Sequence, residues 1–465
     1  MNGQRLERIA DHPAFTGTLR TIKRLFDTLD DPNVRDQVGY LIPGRSAYAH
    51  SSFLVPRTQD DLQLRNRAFT YWAKETHGVM SRLSDYARNY IASWYGARKY
   101  LGRLDPHFEH KITAYYEQAR DLDLFITTAA ADPQIDRSGG LDQERIAERY
   151  LHVVRENSEG IVLSGAKMIA TGAPYANDFI ITSNHPVKSH LKHAHLLIVP
   201  ANSPGLHIVC RESFADEREQ DHVLSSRYEE MDAVLVFDNV LVPWERVFLY
   251  GDPDAIIQLR DFKTTRSLAF HHAAVRLLSK LEFLTGVVFA VAESIGVQEF
   301  LHIKEKLGEL ISQVDIVRAL IVASEVQAKH DESGILVPEF SYIETAKNIG
   351  TKYYPRGIEI LQQVGGGGFM QTPSSLAELQ GPLGDLLRVY LEGANIDAER
   401  KAVLFKLAWD LVGSALGSRH ELYERFYAGD PVRGFANQYG GADKSYYTDP
   451  VWTLLNETKR MAVKA

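Results

Sequence analysis

The strongest constraint on the fold is that the pattern of apolar residues changes period twice along the chain. From about Tyr150 to Tyr250 it comes in short β-type runs: Ile161–Leu163, Phe179–Thr182, His195–Val199, Leu206–Cys210 and Ala233–Phe237. Gly, Pro, Asn and Asp separate these runs, as in a small antiparallel barrel or sandwich. Before them, Leu19–Leu29, Ser81–Tyr100 and His107–Leu124 repeat at helical spacing. After them come the longer segments Ala274–Gly296, Val297–His330, Ile343–Val364 and Leu386–Leu416, each apolar-rich with a charged face. Four such helices predict a bundle. The expected organisation is α+β: a helical domain over residues 1–132, a β domain over 133–262 and a helical bundle over 263–465.

Composition narrows the chemistry. A chain of 465 residues can bury a large core. Its net charge of −8 argues against nucleic-acid and anionic-membrane partners. The single cysteine, Cys210, excludes an internal disulfide and any four-thiolate metal or iron–sulfur site. No apolar stretch reaches bilayer length, and the amino terminus has no apolar signal core, so a cytoplasmic location is expected. The histidines His107, His110, His190, His193, His195, His271 and His272 stand in no recognised metal-ligand frame. The Gly365–Gly368 run fails the dinucleotide fingerprint and follows a helix rather than a strand. Ser164-Gly165-Ala166-Lys167 fits the S-x-x-K pattern, but the partner motifs of penicillin-binding enzymes are absent.

Other stretches carry more. In Leu224–Tyr250 an apolar run reaches Asp238-Asn239, expected as a turn, and then passes through Val240–Val242 into Pro243-Trp244-Glu245. Arg82 and Tyr86, four apart on an expected helix, project from one face and can grip one polar group. Taken alone, that spacing reads first as a surface Arg packed on a Tyr.

Six stretches occur in the order found in the 4-hydroxyphenylacetate 3-hydroxylase family, and the chain resembles it from near one end to the other. They are His12–Phe15, Gly78–Tyr86 (GVMSRLSDY), Pro133–Arg137 (PQIDR), Ser164–Gly172 (SGAKMIATG), Leu224–Tyr250 and Arg419–Pro431 (RHELYERFYAGDP). The resemblance implies an acyl-CoA dehydrogenase-like fold with a middle antiparallel β-barrel. It also implies the oxygenase component of a two-component aromatic monooxygenase. Such a chain takes reduced FAD, or FMN, from a separate NAD(P)H:flavin reductase and hydroxylates a phenol-type ring through a flavin C4a-hydroperoxide. A homotetramer or homodimer joined through the C-terminal helices is expected.

The family's substrate-contacting Arg and Tyr match Arg82 and Tyr86, the catalytic candidates. Its flavin-site positions match Gln134, Ile135, Asp136, Arg137, Thr171 and Asp430, and Gly366 and Gly367 are expected near a neighbouring subunit's flavin. One position departs. Counting back from Pro133, the family's basic histidine falls on Thr128, which can hydrogen-bond a substrate but cannot take its proton near neutral pH. A displaced base is then sought at His272, on the bundle helix facing the pocket. The alternative is an altered flavin-binding homologue that acts on an amino-aromatic or is no longer an oxygenase. A related hydroxyacyl-CoA dehydratase is set aside, because one cysteine cannot supply its cluster ligands.

Overall fold

The computed structural model describes residues 1–135, 148–183, 191–427 and 429–464. The amino-terminal helices form where caps and apolar periodicity agree. Helix α1 (Pro13–Phe26) starts on Pro13, with the His12 ring accepting from the Ala14 amide. In α2 (Gln59–Glu75), Thr58 and Asp61 satisfy each other's backbone amides in a capping box. Helices α3 (Ser84–Gly96) and α4 (Phe108–Asp121) follow.

The middle of the chain folds into strands β1 (Ile126–Ala129), β2 (His152–Glu156), β3 (Gly160–Thr171), β4 (Asp178–Thr182), β5 (His195–Pro200), β6 (Leu206–Cys210), β7 (Asp232–Pro243) and β8 (Val247–Tyr250). They make two four-stranded sheets, ordered β8-β5-β4-β1 and β2-β3-β7-β6. Leu163, Leu235, Phe237 and Val240 from one sheet pack with Phe179, Ile181, Leu197 and Val199 from the other. Two details differ from the sequence reading. Strand β1 runs parallel to β4, so the pairing is not wholly antiparallel, and β1 precedes residue 133 yet belongs to the sheet. Asp238-Asn239 is not a chain turn. The β3–β7 register slips there, from Leu163 opposite Val240 to Gly165 opposite Phe237, and Asn239 takes the left-handed φ of 55° that this bulge needs.

The rest is helical: α5 (Lys263–Ser294), α6 (Leu301–Val326), α7 (Phe340–Gly365), α8 (Ala398–Val412), α9 (Ala415–Phe426), α10 (Pro431–Gly441) and α11 (Ser445–Lys464). Leu277, Leu284, Val288, Leu310, Val317, Ile360 and Leu361 form the bundle core. Gly350 and Gly357 let α7 approach α5 closely, since a Cβ there would meet Leu277 at 2.4 Å and Leu284 at 2.6 Å. The expected continuous helix over Leu386–Leu416 is broken between 391 and 397. There the Ala394 amide bonds the Ser294 carbonyl at the end of α5, and Asp397 caps α8. No described helix is long and apolar enough to cross a membrane.

Candidate active site

The site is built on Gly78. Its φ of +66° is left-handed, and a Cβ would fall 2.5–2.7 Å from the Lys280 Cβ, N and Cα. Glycine therefore lets residues 78–83 lie directly on α5. Arg82 is in this extended stretch rather than on the helix expected from its spacing: Leu83 has ψ 164° and α3 begins at Ser84. The pairing with Tyr86 still holds. The guanidinium carbon sits 3.8 Å above the Tyr86 ring, and the Tyr423 and Tyr427 rings lie within 5.7 and 5.9 Å. Its Nη2 donates to the Tyr427 carbonyl at 3.0 Å. The Tyr86 hydroxyl meets the Tyr90 hydroxyl at 3.0 Å.

A buried network of charge surrounds this point. On α5, Arg276 grips both oxygens of Glu424 at 2.6 and 3.1 Å, and Lys280 reaches the same carboxylate at 2.9 Å. Burial alone would raise the Glu424 carboxyl, but the two cations hold it down to about 2. Burial lowers Lys280 to about 8, against the pull of Glu424. Arg419, one helical turn before Tyr423 on α9, binds Glu230 at 3.0 Å and Asp232 at 2.8 Å. Arg211 adds contacts to Glu229 at 2.6 Å and Asp232 at 3.0 Å. Five cations, Arg82, Arg211, Arg276, Lys280 and Arg419, thus face four carboxylates, Glu229, Glu230, Asp232 and Glu424. Arg82 is the one whose side chain has no carboxylate partner among the described residues. A half-buried, fixed guanidinium without a carboxylate partner is a receptor for an anionic oxygen.

Beside Tyr86, His272 on α5 places Nε2 2.9 Å from Asp85 Oδ2, and its ring is tilted against Tyr86 at 5.7 Å. Its Nδ1 is buried without a hydrogen-bond partner. Burial pushes the Asp85 carboxyl up, but His272, His50 and Arg88 together hold it below its usual range.

The other expected residues are more dispersed. Thr128 is half-buried on β1, opposite Ile180. Its neighbour Thr127 donates to the Thr171 carbonyl, so strand alternation turns Thr128 to the other face. The Thr171 hydroxyl donates to Asp232 at 2.7 Å, which ties it into the charge network. Gln134 is exposed and Ile135 half-buried, in an irregular stretch. Asp136, Arg137 and His190 lie outside the described residues. Gly366, with φ +50°, and Gly367 open a short turn after α7, and a Cβ at either would meet nothing within 4 Å. The Asp430 carboxylate caps α10 by accepting from the Val432 amide at 3.0 Å. No hydrogen bond or ion pair among the described residues joins Gly366, Gly367 or Asp430 to Arg82. Among the described residues no group of three His, Cys, Asp or Glu side chains could hold a metal.

Sequence reasoning missed Tyr423, Tyr427, Arg419, Arg276, Glu230 and Asp232. A signal existed for three of them: Arg419, Tyr423 and Tyr427 recur every fourth residue.

Known proteins give the geometry a lineage. The family model described as 4-hydroxyphenylacetate 3-hydroxylase N terminal matches residues 1–249, and the C-terminal model of the same enzyme matches residues 261–456. The 4-hydroxyphenylacetate 3-monooxygenase oxygenase component of Thermus thermophilus is 35% identical, over 99% of this chain and 94% of the relative. The oxygenase component of 4-nitrophenol 2-monooxygenase from a Rhodococcus species is 33% identical, over 92% and 82%. A crystal structure of the 4-hydroxyphenylacetate 3-monooxygenase oxygenase component complexed with FAD and 4-hydroxyphenylacetate superposes with a TM-score of 0.92 at 35% identity, covering 99% of this chain and 95% of that one. With helices, β domain and helical bundle in the same order, the chain belongs to the 4-hydroxyphenylacetate 3-hydroxylase family.

Proposed function

We propose that this chain is the oxygenase component of a two-component monooxygenase that uses reduced FAD and dioxygen to hydroxylate an electron-rich phenol. The observation that carries this reading is Arg82, a guanidinium pinned by a carbonyl and a tyrosine face with no carboxylate of its own. A positive charge at that point favours the ionised form of a phenol, and ionisation makes the ring carbon beside the oxygen a better nucleophile. Arg82 holds the phenolic oxygen, Tyr86 orients the ring, and Thr128 and His272 complete the substrate's surroundings. The flavin falls to Gln134, Ile135, Asp136, Arg137, Thr171 and Asp430, with Gly366 and Gly367 of a neighbouring copy offering bare backbone. The fit rests on Thr171, fixed in the charge network, and on the open glycine pair. Reduced FAD, when bound, activates dioxygen and delivers one of its atoms to the ring. The protein's part is to exclude water and hold the ring in line.

The altered-homologue alternative is not favoured, because Arg82 suits a phenolate and not an amine. The partner is a separate flavin reductase, reached by diffusing flavin, in the cytoplasm. Assembly as a homotetramer or homodimer through the C-terminal helices is supported by the exposed Tyr446, Trp452 and Leu454 of α11 and Val432 and Tyr439 of α10. The test is to supply purified protein with FAD, a generic flavin reductase, NADH and a panel of phenols, anilines and indoles, and to read product masses. A gain of one oxygen on phenols supports the reading, and none on any phenol overturns it.

A further inference from the structure

We propose that the Tyr86–Tyr90 hydroxyl pair is the outlet through which the substrate's phenolic proton leaves the site. This rests on the reading of Arg82 and Tyr86 as the phenol's partners. Tyr86 and Tyr90 lie one turn apart on one face of α3, and Arg82, in the extended segment just before that helix, stacks on the Tyr86 ring. The two hydroxyls are 3.0 Å apart, and either can donate. The Tyr86 hydroxyl is also within reach of the Arg82 guanidinium, so the pair starts at the charge that would hold the substrate oxygen. Tyr86 is 7% exposed, whereas Tyr90, one turn further, is half-buried and has surface open to water.

The need for an outlet comes from residue 128. A threonine cannot accept the proton, and His272 commits Nε2 to Asp85 and makes no hydrogen bond to Tyr86. The charged groups facing the pair are Arg82, Arg266 and the His272–Asp85 couple. Burial and the neighbouring Tyr86 push the Tyr90 phenol up, against Arg82 and Arg266, so it stays protonated at neutral pH. The proton therefore moves by a concerted hop. The substrate hydroxyl gives its proton to Tyr86 Oη, Tyr86 gives its own to Tyr90 Oη, and Tyr90 gives its own to water. Both tyrosines end protonated with their hydrogen bond reversed, and the phenolate remains against Arg82. One proton reaches solvent for each phenol bound. Tyr86 is the member that touches substrate, and Tyr90 acts through it as a positioning residue.

The test uses FAD-loaded protein and two probes at about pH 8: 4-hydroxyphenylacetate, an ordinary phenol of pKa about 10, and 4-nitrophenol, already ionised there. In stopped flow with a pH indicator, wild-type protein should release a proton on binding 4-hydroxyphenylacetate, and Tyr90→Phe should slow that release at least tenfold. Hydroxylation of 4-hydroxyphenylacetate should fall about 100-fold in Y90F, at the lower end of the range of lost acid–base assistance, while 4-nitrophenol turnover stays within about twofold. Wild-type proton release in heavy water should slow about twofold or more, which tests the relay without any variant. Equal losses on both probes, no loss on either, or no proton released by wild-type protein overturns the proposal. Intact proton release without any hydroxylated product overturns the monooxygenase reading and leaves the outlet standing.

Discussion

Removing Arg82 gives the sharpest test of the site. A guanidinium and a phenolate oxygen about 4 Å apart, at an effective dielectric constant of about 20, attract by about 4 kcal/mol. That brings a phenol of solution pKa about 10 down to about 7 when bound. At pH 7 about half of the bound substrate is then ionised in wild-type protein, against about one molecule in a thousand in Arg82→Ala. Product formation should fall about 100- to 1000-fold at pH 7, and the oxygen consumed should appear as hydrogen peroxide. At pH 9 the gap should narrow to about tenfold, because the phenol then ionises without help. Arg82→Lys keeps the charge but loses the fork that reaches the Tyr427 carbonyl and the flat face on Tyr86, so it should lie between the two. The assay couples the protein to a free flavin reductase and measures hydroxylated product, peroxide and NADH from pH 6.5 to 9.5. An unchanged ratio of product to NADH in R82A, or a deficit that does not shrink with pH, would refute the electrostatic role.

Other expectations concern the frame around Arg82. Glu424→Gln leaves Arg276 and Lys280 buried without a counter-charge, which should cost about 3–5 kcal/mol and lower the melting temperature, with part regained in E424Q/K280M; an unchanged melting temperature would count against the network. Glu424 and Asp232 are both held down to about 2, so their stabilisation is complete above the ordinary carboxylate range and is lost as pH falls from about 4.5 through 2. For Glu424 alone this amounts to about 3 kcal/mol, and acid unfolding followed by fluorescence should show no such loss between pH 7 and 5. Gly78→Ala drives a methyl into the α5 backbone and should uncouple hydroxylation more than it weakens FAD binding, as product-to-NADH ratios and flavin titration can check. Sedimentation at micromolar concentration should find a dimer or tetramer, and replacing Trp452 and Leu454 by Glu should dissociate it.

The large pattern of the fold was legible in the sequence, because burying one face of a helix or a sheet imposes its own period. Local breaks were not. Leu386–Leu416 looks continuous in periodicity, yet the Ser294 carbonyl more than ninety residues earlier takes the Ala394 amide and ends the run. Asp238-Asn239 carries turn chemistry, but the β3 strand opposite converts it into a bulge. Arg82 was found for a reason that proved incomplete: its spacing to Tyr86 suggested a shared helix face, while Gly78 and α5 hold it in an extended segment. The counter-charges were invisible, since nothing local in Glu230 or Asp232 points to Arg419 nearly two hundred residues away.

The Tyr427 carbonyl that Arg82 holds belongs to the C-cap residue of α9, and a helix ends in carbonyls that lack intrahelical partners. Arg82, far away in sequence, thus caps that helix at the negative end of its dipole. A phenolate arriving at the guanidinium competes with the helix end for the same charge. On the proposed role of Arg82, loading the pocket should loosen the closing turn of α9, and hydrogen exchange in that turn would report occupancy.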